Sequence, residues 1–285
     1  MIHITECPRD AMQGIRDFIP TNRKIEYLNA LLKVGFPVLD AGSFVSPSSI
    51  PQMADTAQVF EAIAKHVVDT KILAIVANKR GAESAVEHAI VSILGYPFSI
   101  SETFQKRNTN ASIKESYGRV EEMLDIANKH QKGLVVYLSM AFGNPYGDSW
   151  SPNLVADHAH KLVEMGVQSL SFADTTGIST PESVSSLYRA LAPEFTQTKL
   201  SLHLHALPQD VVAKTIASIE AGCANIDAAL KGFGGCPMAV DSLTGNMATE
   251  KIVEWCDQNA IEHGLNKVAL DEAERIASLL FAEYH

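Results

Sequence analysis

The sequence predicts a (β/α)8 barrel, also called a TIM barrel, formed as a single domain over residues 1–285 with one extra C-terminal helix. Short β-branched runs alternate with longer amphipathic segments along the chain, which is typical of parallel α/β folds. Eight such pairs occur without a long linker or a repeat, and 285 residues suit one barrel. The first strand is followed by CPRDAMQG rather than the GxGxxG turn of a doubly wound sheet, which is the competing fold.

The predicted strands are short and rich in β-branched residues. In chain order they are Ile2–Thr5, Pro37–Ala41, Lys71–Val76, Ile90–Leu94, Leu134–Ser139, Ser169–Ala173, Leu200–His203 and Asn225–Ala228. Residues 95–109 (GYPFSISETFQKRNT) form the longest stretch without a regular pattern, so we expect an irregular connection there.

Most strands are followed by a segment whose apolar residues recur at spacings of three and four, which predicts helices. They include Arg23–Lys33, Ile113–Lys129, Asn153–Met165, Glu182–Leu191, Asp210–Ala221 and Thr249–His263. Polar residues suited to N-capping and glycines suited to C-capping flank them: Thr21, Ser151 and Thr180, then Gly35, Gly166, Gly222 and Gly264. The tail Asp271–Tyr284 predicts a further helix, outside the barrel or against a neighbouring subunit.

Composition and charge argue against several classes of function. The net charge of −10 and the pI of about 5.4 argue against a nucleic-acid partner, which needs a basic face. No apolar run approaches the roughly 20 residues of a membrane span, and the first residues lack the apolar core of a secretion signal. The four cysteines lack CxxC spacing, which argues against a zinc ribbon and favours free thiols in a cytoplasmic protein.

Arg9 and Asp10 follow the first strand directly. Functional groups of a barrel lie at the carboxyl ends of its strands, where a carboxylate can bind a cation and a guanidinium an oxyanion. An ion pair in a surface loop is the alternative for these two residues.

His203 and His205 lie at the end of the seventh strand. Alternate residues of a strand point to the same side, so both imidazoles can face the barrel mouth and share a metal, although a packing role is the alternative. With Asp10 and Asn246 they make a nitrogen and oxygen donor set without thiolate, which suits Mg²⁺ or Mn²⁺. An N-cap or turn is the alternative for Asn246.

Cys236 lies in a glycine-rich segment, residues 231–246 (KGFGGCPMAVDSLTGN). Glycines let the backbone approach a ligand closely, so this loop is a candidate ligand-binding segment with a reactive thiol. A structural turn with an incidental cysteine is the alternative.

The motifs PRDAMQ, SFVSPSSIPQMAD, DTTGISTP, HLH, GFGGCPMA and TGNMATE follow one another along nearly the whole chain. Together they resemble the 3-hydroxy-3-methylglutaryl-CoA lyase family, within a wider group of metal-dependent barrel lyases and Claisen-type synthases. The resemblance implies retro-Claisen cleavage of an acyl-CoA thioester to acetyl-CoA and acetoacetate, a Mg²⁺ or Mn²⁺ cofactor and a homodimer. It also implies roles in leucine degradation and ketone-body formation.

The resemblance also assigns roles to individual residues. Asp10, His203 and His205 would bind the metal, and Asn246 would complete that set. Arg9 would face the thioester carbonyl and stabilise the enolate.

Proton transfer involves a second group of residues. Asp10 and His203 are the candidate bases, and Cys236 would return a proton. Asp40 stands where the family has a glutamate. Gln13 and Asp174 match further active-site positions, and Asn78 is a candidate contact for the CoA substrate.

Four positions depart from the family pattern. Ala206 replaces an aspartate after the HxH motif, Asp40 a glutamate, Val135 a basic residue near the substrate and Asn144 a cysteine. A related acyl-CoA or a free 3-hydroxy acid is therefore an alternative substrate. An aldolase or synthase of the same group, or a barrel without catalytic activity, are alternatives for the function.

Overall fold

Eight parallel strands close into one barrel in the computed structural model, which describes residues 1–235 and 244–284. Each strand pairs with its neighbour in sequence, and β8 pairs with β1. The strands are β1 His3–Glu6, β2 Val38–Ser43, β3 Lys71–Ile75, β4 Val91–Ser99, β5 Gly133–Ser139, β6 Ser169–Asp174, β7 Lys199–Leu204 and β8 Asn225–Ala228. The predicted fold class is confirmed.

Helices surround the barrel. They are α1 Pro8–Gln13, α2 Thr21–Leu32, α3 Thr56–Ile63, α4 Lys79–Val86, α5 Glu102–Thr109, α6 Ile113–Lys129, α7 Pro152–Glu164, α8 Pro181–Leu191, α9 Val211–Glu220, α10 Thr249–Gln258 and α11 Lys267–Tyr284. The predicted end of α10 at His263 is wrong. Ala260 has a φ of 55°, a left-handed conformation that cannot continue a right-handed helix.

The prediction of an irregular connection over residues 95–109 is also wrong. Strand β4 continues to Ser99, and α5 begins at Glu102, where the Ser101 hydroxyl accepts a hydrogen bond from Phe104 N at 3.1 Å. Gly95 interrupts the run of β-branched residues from which the strand was predicted. A Cβ atom there would lie 2.6 Å from Ile75 Cδ1, so the strand needs a glycine for space rather than for a turn.

The expected capping residues have mixed outcomes. Ser151 and Thr180 are N-caps whose hydroxyls accept backbone N–H groups, as predicted. Thr21 is instead the first residue of α2, and its hydroxyl donates to Asp55. Of the four glycines, three lie just past a helix with positive φ, namely Gly35, Gly166 and Gly222, whereas Gly264 precedes α11.

The barrel interior is divided into an apolar and a polar side. Apolar side chains from β2 to β5 pack together inside it, namely Val38, Leu73, Ile75, Val135 and Tyr137. Hydroxyl, amide and carboxylate side chains project inward from β6 to β8, namely Ser169, Ser201, Asn225 and Asp227. These polar groups line a cavity of about 430 Å³ at the amino end of the barrel, here called the lower cavity.

The last helix closes the outer layer against the first elements. Phe281 of α11 contacts Tyr27 of α2 edge to face, with ring centroids 6.0 Å apart. Within residues 1–235 and 244–284, no helix is long and apolar enough to cross a membrane.

Candidate active site

The residues that follow β1 are positioned by a short helix at the carboxyl end of the barrel. Pro8 is the first residue of α1, and Cys7 is its N-cap. Proline suits this position because its fixed φ is helical and the first N–H groups of a helix have no partner within it. Arg9 and Asp10 therefore lie in the first turn, where both are buried.

Three side chains with metal-binding atoms meet at this end of the barrel. One carboxylate oxygen of Asp10 and one nitrogen each of His203 and His205 lie within 4.8 Å of one another, and all three residues are buried. The two imidazoles project from β7 and its end, with ring centroids 5.3 Å apart. One oxygen and two nitrogen donors without a thiol fit Mg²⁺ or Mn²⁺.

Both imidazoles are oriented by an acceptor at Nδ1. His203 Nδ1 lies 3.2 Å from Asp227 Oδ2, and His205 Nδ1 lies 2.8 Å from the Thr244 carbonyl oxygen. Because a carbonyl only accepts, His205 carries its proton on Nδ1, and the carboxylate favours the same tautomer for His203. Nε2 of each ring is then the nitrogen that is free to bind a cation.

Asp227 was not singled out from the sequence. It lies on β8 in register with His203 on β7 and faces the barrel interior. An aspartate in the short strand Asn225–Ala228, next to the strand that carries the HxH motif, was the signal that could have identified it.

Asn246 joins the glycine-rich segment to this cluster. Its Nδ2 donates to Asp10 Oδ2 at 2.7 Å and to the Phe233 carbonyl at 2.8 Å. Its Oδ1 is the atom that could bind a metal. Gly234 is required here, since a Cβ atom would lie 2.8 Å from Asn246 Nδ2 and the residue has a φ of 96°.

Arg9 lies between two carboxylates. Nε and Nη2 donate to Asp40, with Nε 3.1 Å from Oδ2, and Nη1 donates to Asp10 at 2.8 Å. Burial disfavours the charged guanidinium, but the two carboxylates outweigh it and raise the pKa of Arg9. Arg9 also lines the cavity, where the remaining N–H of each Nη can meet a ligand.

Asp10 is held in its ionised form. Burial raises the pKa of its carboxyl, but the charge of Arg9, followed by His203 and His205, outweighs burial and brings that pKa to about 2. Gln13 Nε2 donates a further hydrogen bond to Asp10 at 2.7 Å. Such a carboxylate is well suited to bind a cation and poorly suited to accept a proton.

Asp174 organises the loop that follows β6. Its carboxylate accepts hydrogen bonds from Ile178 N and Ser179 N, both at 3.0 Å. It also forms an ion pair with Lys214 at 3.1 Å. It is buried and does not line the cavity with Arg9 and Asp10.

Lys214 stands near the place where the family pattern has an aspartate and this chain has Ala206. Its buried ammonium group donates to the His205 carbonyl at 2.7 Å and to Asp174. Lys214 thus ties the end of β7 to the loop after β6, a link that the sequence analysis did not identify.

Asn78, Val135 and Asn144 do not belong to the metal-binding cluster. Asn78 is exposed and caps α4, where its Oδ1 accepts Gly81 N at 3.0 Å. Val135 packs inside the barrel and lines the lower cavity. A basic side chain at this position would therefore not lie beside Arg9. Asn144 closes its own loop by bonding Asp148. Cys236 lies outside the described residues.

A cavity of about 110 Å³ opens over the cluster, here called the upper cavity. Its polar wall contains Arg9, Asp10, Gln13, His203 and His205. Its apolar lining includes Val45, Ile50, Ile75, Pro97 and Phe104. The arrangement can bind a small molecule with oxygen groups at one end and an alkyl portion at the other.

Comparison with known proteins is consistent with this arrangement. A model of the HMGL-like family matches residues 2–277. Hydroxymethylglutaryl-CoA lyase, mitochondrial, of Mus musculus is 35% identical over 269 residues, covering 93% of this chain and 81% of that protein. The 3-hydroxy-3-isohexenylglutaryl-CoA/hydroxy-methylglutaryl-CoA lyase of Pseudomonas aeruginosa is 34% identical over 274 residues, covering 96% and 90%.

A solved structure shares the whole architecture. It is an HMG-CoA lyase from Acenitobacter baumannii in complex with coenzyme A and 3-methylmalate. The two structures superpose with a TM-score of 0.92 at 29% sequence identity, covering 99% of this chain and 92% of that one.

Proposed function

The chain belongs to the HMGL-like family, and we propose that it is a carbon–carbon lyase that cleaves 3-hydroxy-3-methylglutaryl-CoA, or a close analogue, to acetyl-CoA and acetoacetate. The observation that carries this proposal is the meeting of Asp10, His203 and His205 within 4.8 Å, with Arg9 on the same cavity wall. A retro-Claisen cleavage needs this combination, because it must deprotonate an alcohol and stabilise an enolate.

Asp10, His203 and His205 are the residues that would bind a Mg²⁺ or Mn²⁺ ion, and Asn246 Oδ1 is a further donor. Their fit to such an ion rests on their burial, their mutual distances and the absence of sulfur from the set. The chemistry that the bound ion supplies is a lower pKa for a hydroxyl group that contacts it.

Arg9 is assigned to the thioester carbonyl. Asp40 holds the guanidinium through Nε and Nη2, so its plane is fixed before a substrate arrives. When the bond between C2 and C3 breaks, its electrons move onto the thioester carbonyl, and preorganised N–H donors stabilise that charge.

Proton removal from the C3 hydroxyl is assigned to His203 Nε2, which must leave the set of metal donors to accept the proton, because Nδ1 already donates to Asp227. Of the two candidate bases, Asp10 has a pKa of about 2, which makes it the weaker proton acceptor. Asp227 orients the His203 ring by accepting a hydrogen bond from Nδ1. Loss of the hydroxyl proton lets C3 become the ketone carbon of acetoacetate.

Return of a proton to the enolate carbon is assigned to Cys236. The assignment is supported by residues 234 and 246, which precede and follow Cys236 in the chain and lie beside Asp10. The thiol proton moves to the C2 carbon, and acetyl-CoA is complete.

Gln13, Asp174 and Asn78 have separate supporting roles in this proposal. Gln13 orients Asp10, Asp174 shapes the loop after β6, and Asn78 remains a candidate for contact with the CoA portion. We also propose that residues 1–285 act as a single catalytic domain in a homodimer. A cytoplasmic location and roles in leucine degradation and ketone-body formation complete the proposal. Some relatives are named as cytoplasmic enzymes and others as mitochondrial ones.

An aldolase or a synthase of the same group is less favoured. The relatives that cover most of this chain at 34–35% identity are named lyases. A barrel without catalytic activity is also disfavoured, because the buried charges of Arg9, Asp10 and Asp40 are costly to keep without a use.

The decisive experiment follows acetoacetate formation from 3-hydroxy-3-methylglutaryl-CoA, with Mg²⁺, with Mn²⁺ and with a chelator. We expect turnover only with a divalent ion, and none in His203→Ala, which lacks both a metal donor and the base. Val212→Ala, an exposed position on α9, is the control and should retain wild-type turnover. Absence of acetoacetate with either ion would reject this substrate.

A further inference from the structure

A second group of metal-binding side chains lies behind His203, toward the amino end of the barrel. Cys7 Sγ, a ring nitrogen of His203 and a carboxylate oxygen of Asp227 lie within 4.8 Å of one another, and all three residues are buried. They come from β1 and its end, β7 and β8, which are neighbours in the closed barrel. This cluster, here called the lower donor set, shares only His203 with the donors around Asp10.

The chemistry of the lower donor set differs from that of the upper one. Asp10, His203 and His205 offer oxygen and nitrogen, whereas Cys7 adds sulfur to one nitrogen and one carboxylate oxygen. Thiolate ligands select thiophilic ions such as Zn²⁺, while Mg²⁺ prefers oxygen ligands. The two sets would therefore distinguish ions by type.

The distance between His203 and Asp227 suits a tetrahedral ion. Zn²⁺ binds nitrogen and oxygen donors at about 2.0–2.2 Å and sulfur at about 2.3 Å, so donors around one ion are separated by about 3–4 Å. His203 Nδ1 and Asp227 Oδ2 are 3.2 Å apart. An ion would displace the proton between them and take Cys7, within 4.8 Å of both, as its third protein ligand.

The surroundings of Cys7 are negatively charged. Burial first, and then the carboxylates of Asp227, Asp40 and Asp10, raise the pKa of the thiol against the opposing charge of Arg9, so an ion must displace the thiol proton to bind sulfur. Among the described residues, the thiol makes one hydrogen bond, a long one of 3.7 Å, to the Thr5 carbonyl. Asp227 also lines the lower cavity, so an ion has a path to the set that avoids the substrate pocket.

We propose that Cys7, His203 and Asp227 form a second cation position that binds thiophilic divalent ions such as Zn²⁺ and thereby inhibits the enzyme. Binding releases the thiol proton, and the imidazole proton of His203 moves from Nδ1 to Nε2. Because Nε2 then carries a proton and cannot bind the catalytic cation, the two positions compete through His203.

The test is a Cd²⁺ titration of the metal-free full-length chain, since Cd²⁺ substitutes for Zn²⁺ and has an ultraviolet charge-transfer band with thiolate. We expect Cys7→Ser to lose the charge-transfer band that one bound Cd²⁺ ion produces in the wild type. Cys256→Ser, which changes another buried thiol, should retain it. Mn²⁺ affinity, measured by electron paramagnetic resonance, should stay within a few-fold of wild type in Cys7→Ser.

Two results would overturn the proposal. A band of full intensity in Cys7→Ser would exclude this thiol as a ligand. Loss of Mn²⁺ binding together with the band would mean that there is one position rather than two.

The inhibitory part rests on the proposed lyase activity and has its own measurement. In the Mg²⁺-supported reaction, the Zn²⁺ concentration for half-inhibition should rise at least tenfold in Cys7→Ser. An unchanged value would reject inhibition through this position. Because the Cd²⁺ titration needs no turnover, failure of the proposed substrate would be distinguishable from failure of the metal site.

Discussion

Arg9 serves both the folded state and the proposed chemistry. It is buried between Asp10 and Asp40 and also lines the upper cavity. Any substitution that removes its charge leaves two buried carboxylates without their cation. Loss of activity alone would therefore not distinguish a catalytic role from a structural one.

A pair of variants separates these two roles. We expect Arg9→Met to lower the free energy of unfolding by about 3–5 kcal/mol, because it leaves buried charges unpaired. The double variant Arg9→Met/Asp40→Leu should recover part of that loss, since apolar groups can replace the Arg9–Asp40 pair at little cost while Asp10 stays without its cation. Urea denaturation and turnover are measured together. If turnover recovers along with stability, the enolate role of Arg9 is wrong.

Asp227 acts on the cation through His203. We expect Asp227→Ala to lower Mn²⁺ affinity about 10–100-fold, because the imidazole loses the acceptor that sets its tautomer and orientation. Asp227→Asn keeps a neutral acceptor, and its Mn²⁺ affinity should lie between those of the wild type and Asp227→Ala. Calorimetric Mn²⁺ titration measures the affinity, and Ser201→Ala, another inward-facing position on β7, is the control. Equal affinities in Asp227→Ala and wild type would reject this function of Asp227.

At the scale of elements, β1 presents chemically different groups to its two sides. Cys7 and the start of α1 face the barrel interior, while Glu6 faces the helical layer. Glu6 accepts hydrogen bonds from Leu230 N and from the Thr249 hydroxyl, which joins β1 to the segment after β8 and to α10. A buried carboxyl at this junction couples the barrel to its outer layer.

This junction makes stability depend on pH. Burial, only partly offset by the bonds from Thr249 and Leu230, raises the pKa of Glu6 from 4.5 to about 8. The folded state thus binds a proton more tightly than the unfolded chain. The stabilisation is fully present below pH 4.5, declines as pH rises from 4.5 to 8, and is absent above 8.

Glu6→Gln removes that ionisation. Between pH 5 and 7.5, we expect the wild type to lose about 1.4 kcal/mol of unfolding free energy per pH unit relative to Glu6→Gln. Urea denaturation at several pH values gives both curves. Parallel curves would mean that Glu6 does not titrate in this range.

At the scale of the whole molecule, the last helix of the chain packs against residues that position Asp10. Phe281 of α11 packs on Tyr27 of α2 and stacks on Phe233, with ring centroids 4.2 Å apart in the latter pair. The Phe233 carbonyl accepts a hydrogen bond from Asn246, which in turn holds Asp10. Packing of the outer layer is therefore connected to the donor set.

Removal of the Phe281 ring should affect both stability and metal binding. We expect Phe281→Ala to cost about 3–5 kcal/mol of unfolding free energy, as for a large buried aromatic side chain. Mn²⁺ affinity should also fall, because the segment that positions Asn246 loses its packing. Leu279→Ala, exposed on the same helix, should change stability by less than about 0.5 kcal/mol. Wild-type Mn²⁺ affinity in Phe281→Ala would disprove the connection.

Local periodicity accounts for most of the fold that could be predicted. Strand β8 and helix α6 have the predicted bounds, because their side-chain patterns repeat within a few residues of chain. The second half of strand β4, from Gly95 to Ser99, and helix α5 were missed. Gly95 and a largely polar helix carry no such pattern, and both segments are stabilised by neighbours distant in sequence.

The same division applies to the site. By itself the sequence determined the barrel, the HxH pair on one side of a strand and the Arg-Asp pair after β1, because these depend on spacing along the chain. Only the tertiary structure decided that Asp227 orients His203, that Asn246 bonds Asp10, that Lys214 lies near Ala206 and that Cys7 approaches His203. These contacts join residues far apart in sequence, and closure of the barrel determines which of them meet.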